Sequence, residues 1–250
     1  MLKYALLGEK LGHSLSPEIH TEIFKALDIN ASYTLVETDP SGIKEELTKY
    51  DGLNVTIPYK RSVMKHLDAL SDEAEKIGAV NTIYENKGYN TDYYGFGKML
   101  EINEIPVKNQ VAYILGTGGA SKAVYQYLKD HQAKEIIFVS RSKTGEHMIN
   151  YDDLTEKSGD FIINTTPVGM YPKIDESPVT KDVIRNFKYA VDLIYNPFET
   201  KFLKLAKAEN LITTNGLYML VGQAVKAEEI WQKRVISDDL INKIHEMLSK

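Results

Sequence analysis

Apolar positions along the 250-residue chain follow two alternating patterns. Short apolar runs bounded by turn residues, "YALLG" at 4 to 8, "SYTLVE" at 32 to 37 and "LNVTI" at 53 to 57, predict strands. Between the first two, Ile19, Ile23, Phe24 and Leu27 recur at helical spacing and predict a helix over 17 to 28. Strands alternating with helices at this spacing predict a mostly parallel sheet. The pattern breaks at "NEIPVKNQ", residues 103 to 110, and restarts with the strand "VAYILG", 111 to 116. A helix follows on which Ala120, Ala123, Val124, Tyr127 and Leu128 share one face, and then a second buried strand, "EIIFVS", 135 to 140. The C-terminal quarter predicts two helices, over 217 to 234 and over 238 to 249, the latter with Leu240, Ile244, Met247 and Leu248 in one stripe that needs a partner.

The second block is a strand, turn, helix and strand of about 30 residues, and its turn is "GTGGAS". Gly116 ends the strand, Gly118 and Gly119 make the turn, and a periodic helix starts at once. Glycines there let a backbone approach a pyrophosphate, whose charge is stabilised by the N–H groups of the helix N-terminus. Ser121 stands in the third glycine slot, small enough for close helix packing. The competing reading is a glycine turn selected only for tightness. An NAD site usually carries Asp or Glu at the end of the second strand, about 20 residues past the first glycine. Here the chain reads Ser140-Arg141-Ser142-Lys143, which suits a 2′-phosphate and so favours NADP, unless Arg141 simply points to solvent.

The stretch "NVTIPYK", 54 to 60, runs an apolar strand into Pro58, which cannot continue a sheet, and then reaches Lys60. Lys60 is therefore expected at the C-terminal mouth of a strand, where α/β proteins place ligands. Alternation puts Asn54 and Thr56 on one face and Val55 and Ile57 on the packed one. Ser16 precedes Pro17 at a helix start and Asp92 precedes Tyr93-Tyr94, so each has a helix-capping reading beside a functional one. Ser14 has no such reading, and two hydroxyls beside a helix N-terminus make a carboxylate site. On the helix from Gly216, Leu217, Leu220, Val221, Ala224, Val225 and Trp231 form a buried stripe, and Gly216, Met219 and Gln223 cluster opposite it.

Composition narrows the ligand. Apolar residues make up 43% of the chain, enough for a core in one large domain or two small ones, and no apolar run approaches the roughly 18 residues of a membrane span. A net charge of −5 argues against nucleic acid, and six scattered histidines without cysteine argue against a metal site or a disulfide framework. The expectation is a globular cytoplasmic protein with a small-molecule ligand, as a monomer or homodimer, without membrane or nucleic-acid partner.

Read together, "GHSLSP" (12 to 17), "NVTIPYK" (54 to 60), "GAVNT" (78 to 82), "YNTDYYGF" (89 to 96), "GTGGASKA" (116 to 123), "NTTPVGM" (164 to 170), "DLIYNP" (192 to 197) and "NGLYMLVGQA" (215 to 224) resemble the shikimate dehydrogenase family, in order and over nearly the whole chain. The resemblance implies an α/β fold: an N-terminal α/β substrate domain with a mostly parallel sheet, 1–104 with 235–250, plus a Rossmann-type NADP domain, 105–234. It implies Lys60 and Asp92 as the catalytic pair, with Ser14, Ser16, Thr56, Asn81, Tyr195 and Gln223 around the substrate. It implies Gly116, Gly118, Gly119, Ala120, Ser140, Arg141, Ser142, Thr165, Gly216 and Met219 at the cofactor. The implied reaction is reversible NADPH-dependent reduction of 3-dehydroshikimate to shikimate, on the route to chorismate and the aromatic amino acids. The alternatives are a quinate/shikimate dehydrogenase of mixed specificity and a catalytically silent metabolite-binding relative, which should have lost Lys60 or Asp92. The pattern departs from the family between residues 143 and 159, where a full crossover helix is missing, and a more open adenosine pocket is expected there.

Overall fold

The computed structural model describes residues 1–12, 14–142 and 145–250. The chain divides into two compact units, Met1–Gly95 with Val221–Lys250, and Phe96–Leu220. The first opens with strand β1 (Leu2–Gly8), helix α1 (Ser16–Leu27), strand β2 (Ala31–Glu37), the short helix α2 (Ile43–Glu46) and strand β3 (Gly52–Val55). A 3-10 turn at Ser62–His66 leads to β4 (Ala69–Leu70), α3 (Asp72–Ile77), the hairpin β5 (Thr82–Tyr84) and β6 (Lys87–Tyr89), and α4 (Thr91–Ile102), whose residues from Phe96 onward belong to the second unit. The sheet order is β2-β1-β3-β5-β6-β4. The pairs β1–β2, β1–β3 and β4–β6 are parallel, whereas β5 runs antiparallel to β3 and β6.

Both faces of β1 are covered, as its uninterrupted apolar run requires. Ala5 and Leu7 pack with Leu53, Val55, Tyr59 and Val63, while Tyr4 and Leu6 pack with Phe24, Tyr33 and Trp231. Helix α1 buries Ile19, Ile23 and Phe24 as expected, and His20 with them. It ends where Asp28 turns left-handed at φ 53° and returns its N–H to the last carbonyls.

Three expectations fail in this unit. Strand β3 stops at Val55, two residues early, and Ile57 is 75% exposed instead of packed. The chain leaves the sheet before Pro58, so the alternation that put Ile57 inside no longer applies. In the last helix, α9 (Asp239–Leu248), the buried residues are Ile241 and Ile244, while Met247 is 40% exposed, so the stripe is rotated from the expected one. The preceding helix, α8 (Leu217–Gln232), belongs to the first unit from Val221 onward, where the sequence reading left it in the second domain through 234. Trp231 is the reason: its ring stacks on Tyr4 at 4.5 Å, and its Nε1 donates to the Ile83 carbonyl at 3.1 Å. A Cβ at Gly52 would stand 2.5 Å from that indole nitrogen, so the position admits only glycine.

The second unit holds β7 (Val111–Leu115), α5 (Gly119–Asp130), β8 (Glu135–Val139), β9 (Met148–Ile149), β10 (Phe161–Asn164), α6 (Lys181–Ile184), β11 (Tyr189–Asp192), α7 (Lys201–Ala208) and β12 (Ile212–Thr214). Its sheet has the order β12-β11-β10-β7-β8-β9, with every pair parallel. This is the doubly wound Rossmann order, whose direction of winding reverses between β7 and β10. Among the described residues no helix joins β8 to β9, and a 3-10 turn at Asp153–Glu156 leads on to β10. No helix among the described residues is long and apolar enough to cross a membrane.

Candidate active site

In the first unit the end of β3 and the start of α4 bring together a lysine and a carboxylate 32 residues apart in sequence. Lys60 Nζ donates to Asp92 Oδ2 at 2.6 Å, with the two side chains 16% and 10% exposed. Lys60 follows a turn in which the Tyr59 N–H bonds the Thr56 carbonyl. Its neighbour Tyr59 is buried and donates to the Thr38 carbonyl at 2.6 Å, which fixes the lysine's backbone. Asp92 sits inside the first turn of α4, and the Tyr93 N–H is taken by Asn90 Oδ1, so Asp92 is not the cap.

Behind the carboxylate, Asn81 is the hub. Its Nδ2 donates to Asp92 Oδ1 at 2.9 Å and reaches Gln223 Oε1 at 3.4 Å, while its Oδ1 accepts the Thr91 N–H at 2.7 Å. The Thr91 hydroxyl also reaches Gln223 Oε1, at 3.3 Å. Lys60, Asp92, Asn81 and Gln223 therefore form one cluster, and Thr91, which the sequence reading did not single out, joins it. Gln223 is 9% exposed and points inward, so the face it shares with Met219 and Gly216 is buried rather than an open lining. Thr56 lies just past β3, partly buried, with its N–H on the Leu7 carbonyl.

The capping role that the sequence offered for Ser16 falls on Ser14 instead. Ser14 Oγ accepts the Ser16 N–H at 3.2 Å and so closes the turn that starts α1, whereas Ser16 lies inside the helix and makes no side-chain cap. Ser16 is 6% exposed, and its side chain hydrogen-bonds the Tyr33 hydroxyl. A hydroxyl that accepts still has a proton to donate, so Ser14 remains able to bond an anion.

The glycine turn of the second unit opens on a cavity of about 850 Å³ lined by Gly116, Thr117, Gly118, Ser140, Arg141 and Ser142 on one side. Gly116 has φ +98°, and a Cβ there would meet Thr166 Cγ2 at 2.8 Å. Gly118 has an ordinary extended backbone, and a Cβ there would meet nothing within 4 Å. The fold thus requires glycine at 116, while at 118 it leaves bare backbone facing open space, which is the cradle a pyrophosphate needs. Gly119 and Ala120 begin α5, and Ser121, fully buried, donates to the Gly118 carbonyl at 2.7 Å. Ser140 is buried, its Oγ accepting the Ser142 N–H, and Arg141 is exposed at the cavity's edge. Lys143 lies outside the described residues.

Thr165 also lines the cavity, with its hydroxyl donating to the Leu115 carbonyl at 2.7 Å. The short segment after β9 supplies Asn150, Tyr151 and Asp152, which form part of the cavity wall. The sequence reading missed these three; their signal was the shortness of that segment. Burial raises the Tyr151 hydroxyl's pKa against the opposing pull of the nearby Arg141 charge.

Gly216 and Met219 are not among the cavity's lining residues. A Cβ at Gly216 would stand 2.0 Å from the Leu193 carbonyl oxygen, so packing alone demands that glycine. Tyr195 is in this unit, partly buried, with its pKa raised by burial. The motifs around it are held by Asp192, fully buried, which accepts from Thr200 Oγ1 at 2.7 Å, the Ile194 N–H at 3.0 Å and Asn164 Nδ2 at 3.0 Å. Burial pushes the Asp192 carboxyl up to about 6, and those three hydrogen bonds oppose the shift.

Comparison with known proteins joins these features. A family profile described as the shikimate dehydrogenase substrate binding domain matches residues 6–83. Shikimate dehydrogenase (NADP(+)) of Clostridium beijerinckii is 52% identical over 95% of this chain and 94% of its own length. The crystal structure of a chorismate mutase/shikimate 5-dehydrogenase fusion protein from Clostridium acetobutylicum superposes with a TM-score of 0.96 at 49% identity, covering 99% of this chain and 97% of that one. Shikimate 5-dehydrogenase from Thermus thermophilus in complex with NADP(H) and shikimate gives a TM-score of 0.88 at 32% identity, covering 99% of each chain.

Proposed function

The chain belongs to the shikimate dehydrogenase family, and we propose that in it Lys60 and Asp92 act as one coupled acid–base unit in the reversible NADPH-dependent reduction of 3-dehydroshikimate to shikimate, a step of aromatic biosynthesis. The observation that carries the residue assignment is the 2.6 Å contact between Lys60 Nζ and Asp92 Oδ2 at the end of β3.

NADPH, when bound, supplies the hydride to the substrate's C3 carbonyl carbon. The carbonyl oxygen then gathers charge and needs a proton, which a group within hydrogen-bond reach delivers. The Lys60 ammonium carries such a proton, and Asp92 holds that ammonium in place while Asn81 holds Asp92 from behind. Protons shared by a pair this close belong to the pair, so neither residue is assigned the step alone. In the reverse direction the same pair accepts the hydroxyl proton of shikimate.

Ser14 and Ser16, at the start of α1, anchor the substrate carboxylate in this reading, with Thr56, Asn81 and Gln223 bonding its hydroxyls; Tyr195 is assigned to the substrate as well. Gly116, Gly118, Gly119 and Ala120 hold the pyrophosphate, and Ser140, Arg141 and Ser142 the phosphorylated ribose. Thr165, Gly216 and Met219 complete the cofactor assignment, Gly216 in a backbone role. A guanidinium makes charge-assisted, often bidentate bonds to a phosphate, and a ribose hydroxyl cannot reciprocate them. A cytoplasmic location and a monomer or homodimer complete the reading.

The test is nicotinamide reduction followed at the absorbance of NADPH, with shikimate and with quinate, each against NADP and NAD. Turnover with shikimate and NADP in preference to the other three combinations is expected. Equal turnover of quinate makes the enzyme a mixed-specificity relative, and no turnover at all makes it a binding protein that retains the pair.

A further inference from the structure

The hydroxyl of Tyr33 on β2 is buried in the first unit and is itself assigned to neither substrate nor cofactor. Tyr33 Oη donates to Asn54 Oδ1 at 2.7 Å. Asn54 Nδ2 passes the connection on, to the Asn81 carbonyl at 3.2 Å and to Thr82 Oγ1 at 3.0 Å. Thr82 Oγ1 in turn donates to Asn81 Oδ1 at 3.2 Å, and Asn81 Nδ2 donates to Asp92 Oδ1. Each link thus donates in the same direction, from β2 through β3 and β5 to the carboxylate that holds Lys60.

The amide of Asn54 fixes that direction. Its oxygen only accepts and its nitrogen only donates, so Tyr33 must be the donor. Burial raises the Tyr33 pKa well above the ordinary phenol value, which keeps the donating proton in place. The ring itself is clamped. His20 stacks on it at 4.0 Å and 8°, and His20 Nδ1 is held by Glu228 Oε1 at 2.6 Å, with both side chains wholly buried. A sheet does not need an asparagine pointing at a tyrosine to stay folded, and apolar residues of the same volume would pack as well. An asparagine whose every polar atom is occupied by neighbours is a rigid spacer.

We propose that Tyr33 is a positioning residue for the acid–base pair: through Asn54 and Asn81 its hydroxyl fixes the Asp92 carboxylate, and with it Lys60, in the reactive orientation. The inference rests on the function proposed above. It differs from a contact with substrate, because Tyr33 is buried beneath the site and acts only through other side chains.

The experiment uses the full chain with Tyr33→Phe, Asn54→Ala and the double variant, measuring kcat, KM for shikimate, the NADP dissociation constant and thermal stability. Phenylalanine keeps the ring and its stack on His20 and removes the hydroxyl's link to Asn54 together with its contact with Ser16, a contact that Asn54→Ala leaves in place. For Tyr33→Phe, kcat is expected to fall roughly tenfold or more while KM for shikimate moves by less than about threefold and NADP binding is unchanged, the pattern of an interaction felt at the transition state. Because both residues act in one chain, the double variant should be no slower than Asn54→Ala alone. A Tyr33→Phe enzyme with lowered thermal stability and wild-type kcat overturns the proposal, since Tyr33 then only packs. Losses in kcat that multiply in the double variant overturn it too. Wild-type protein with no shikimate-dependent NADP reduction overturns the function itself and this inference with it, so the two failures are told apart by the first measurement.

Discussion

The glycine turn admits a test in which two neighbouring substitutions should fail in different ways. At Gly116, φ is +98°, a region that an alanine enters at a cost of about 1–3 kcal/mol. The new Cβ would also lie 2.8 Å from Thr166 Cγ2 and 3.2 Å from Thr165 Oγ1, an overlap that costs about 1–3 kcal/mol more when neighbours must shift. Gly116→Ala should therefore destabilise the protein by about 2–5 kcal/mol. Gly118 has φ −75° and ψ −172°, allowed for any residue, and no heavy atom lies within 4 Å of its virtual Cβ. Gly118→Ala should change stability by less than about 1 kcal/mol, since the small loss at a helix N-cap is offset by a stiffer unfolded chain. Its methyl group, however, would occupy the surface over which a pyrophosphate must approach the N–H groups. Losing one charge-assisted bond of about 1.5–3 kcal/mol weakens NADP binding by roughly 10- to 100-fold. Urea unfolding and calorimetric titration with NADP measure both quantities on the same preparations. A Gly118→Ala protein that binds NADP as tightly as wild type refutes the cradle and restores the reading of a glycine turn selected for tightness alone.

Three further outcomes are expected. Lys60→Ala should lose about 10² to 10⁴ in kcat while KM for shikimate stays within a few-fold and NADP affinity is unchanged, and near-normal turnover removes the lysine from the chemistry. Ser16→Ala should raise KM for shikimate by roughly 10- to 100-fold and, by removing a buried hydroxyl beside Tyr33, lower stability by about 1 kcal/mol, while Ser14→Ala, which orphans the Ser16 N–H, should lower stability by a similar amount; an unchanged KM in Ser16→Ala takes that serine out of the carboxylate site. Asp192 titrates in the folded state at about 6, above its ordinary value, so the native state holds that proton more tightly than the unfolded chain does. Its effect on stability is therefore a loss as pH rises from about 4 to about 6, on the order of 3 kcal/mol, and Asp192→Asn should flatten that part of the stability profile; superimposable wild-type and variant profiles refute it.

Much of the architecture could be read from the chain because its signals are local. The β7, α5 and β8 unit and helix α1 lie within one or two residues of their expected positions, since apolar periodicity and glycine both act over a few residues. The hairpin β5–β6 escaped notice. Its strands are three residues each, and its turn at Glu85 and Asn86, with φ of 46° and 56°, lacks the glycine that usually marks two consecutive positive φ values. Position relative to partners far along the chain was also hidden. Tyr33 and Asn54 read as strand residues of unremarkable polarity, and the His20–Glu228 pair joins residues 208 apart in sequence. The shift of the capping role from Ser16 to Ser14 has the same origin, because which of two nearby hydroxyls closes the turn depends on where α1 starts, and that boundary shifts by a residue with no change in composition.

Motif membership says that a residue is constrained, and the structure separates constraint by folding from constraint by chemistry. Gly216 cannot carry a side chain because the Leu193 carbonyl occupies its place, and Asn164 and Asp192 are consumed in holding the turns after β10 and β11. These motif residues would be needed in a protein with no activity at all. Gly118 and Lys60 are different. Nothing in the fold fills the space beside Gly118. A largely buried lysine–carboxylate pair contributes little net stability, since removing two charges from water costs about as much as their attraction returns, and apolar residues of similar volume often do better. A fold has no use for Lys60 and Asp92 at 10–16% exposure, backed by the Asn81 amide, unless the charges are wanted where they stand. The residues that stability leaves unexplained are therefore the ones to which the chemistry is assigned, and the buried line from Tyr33 to Asp92 extends that criterion one layer beneath the site.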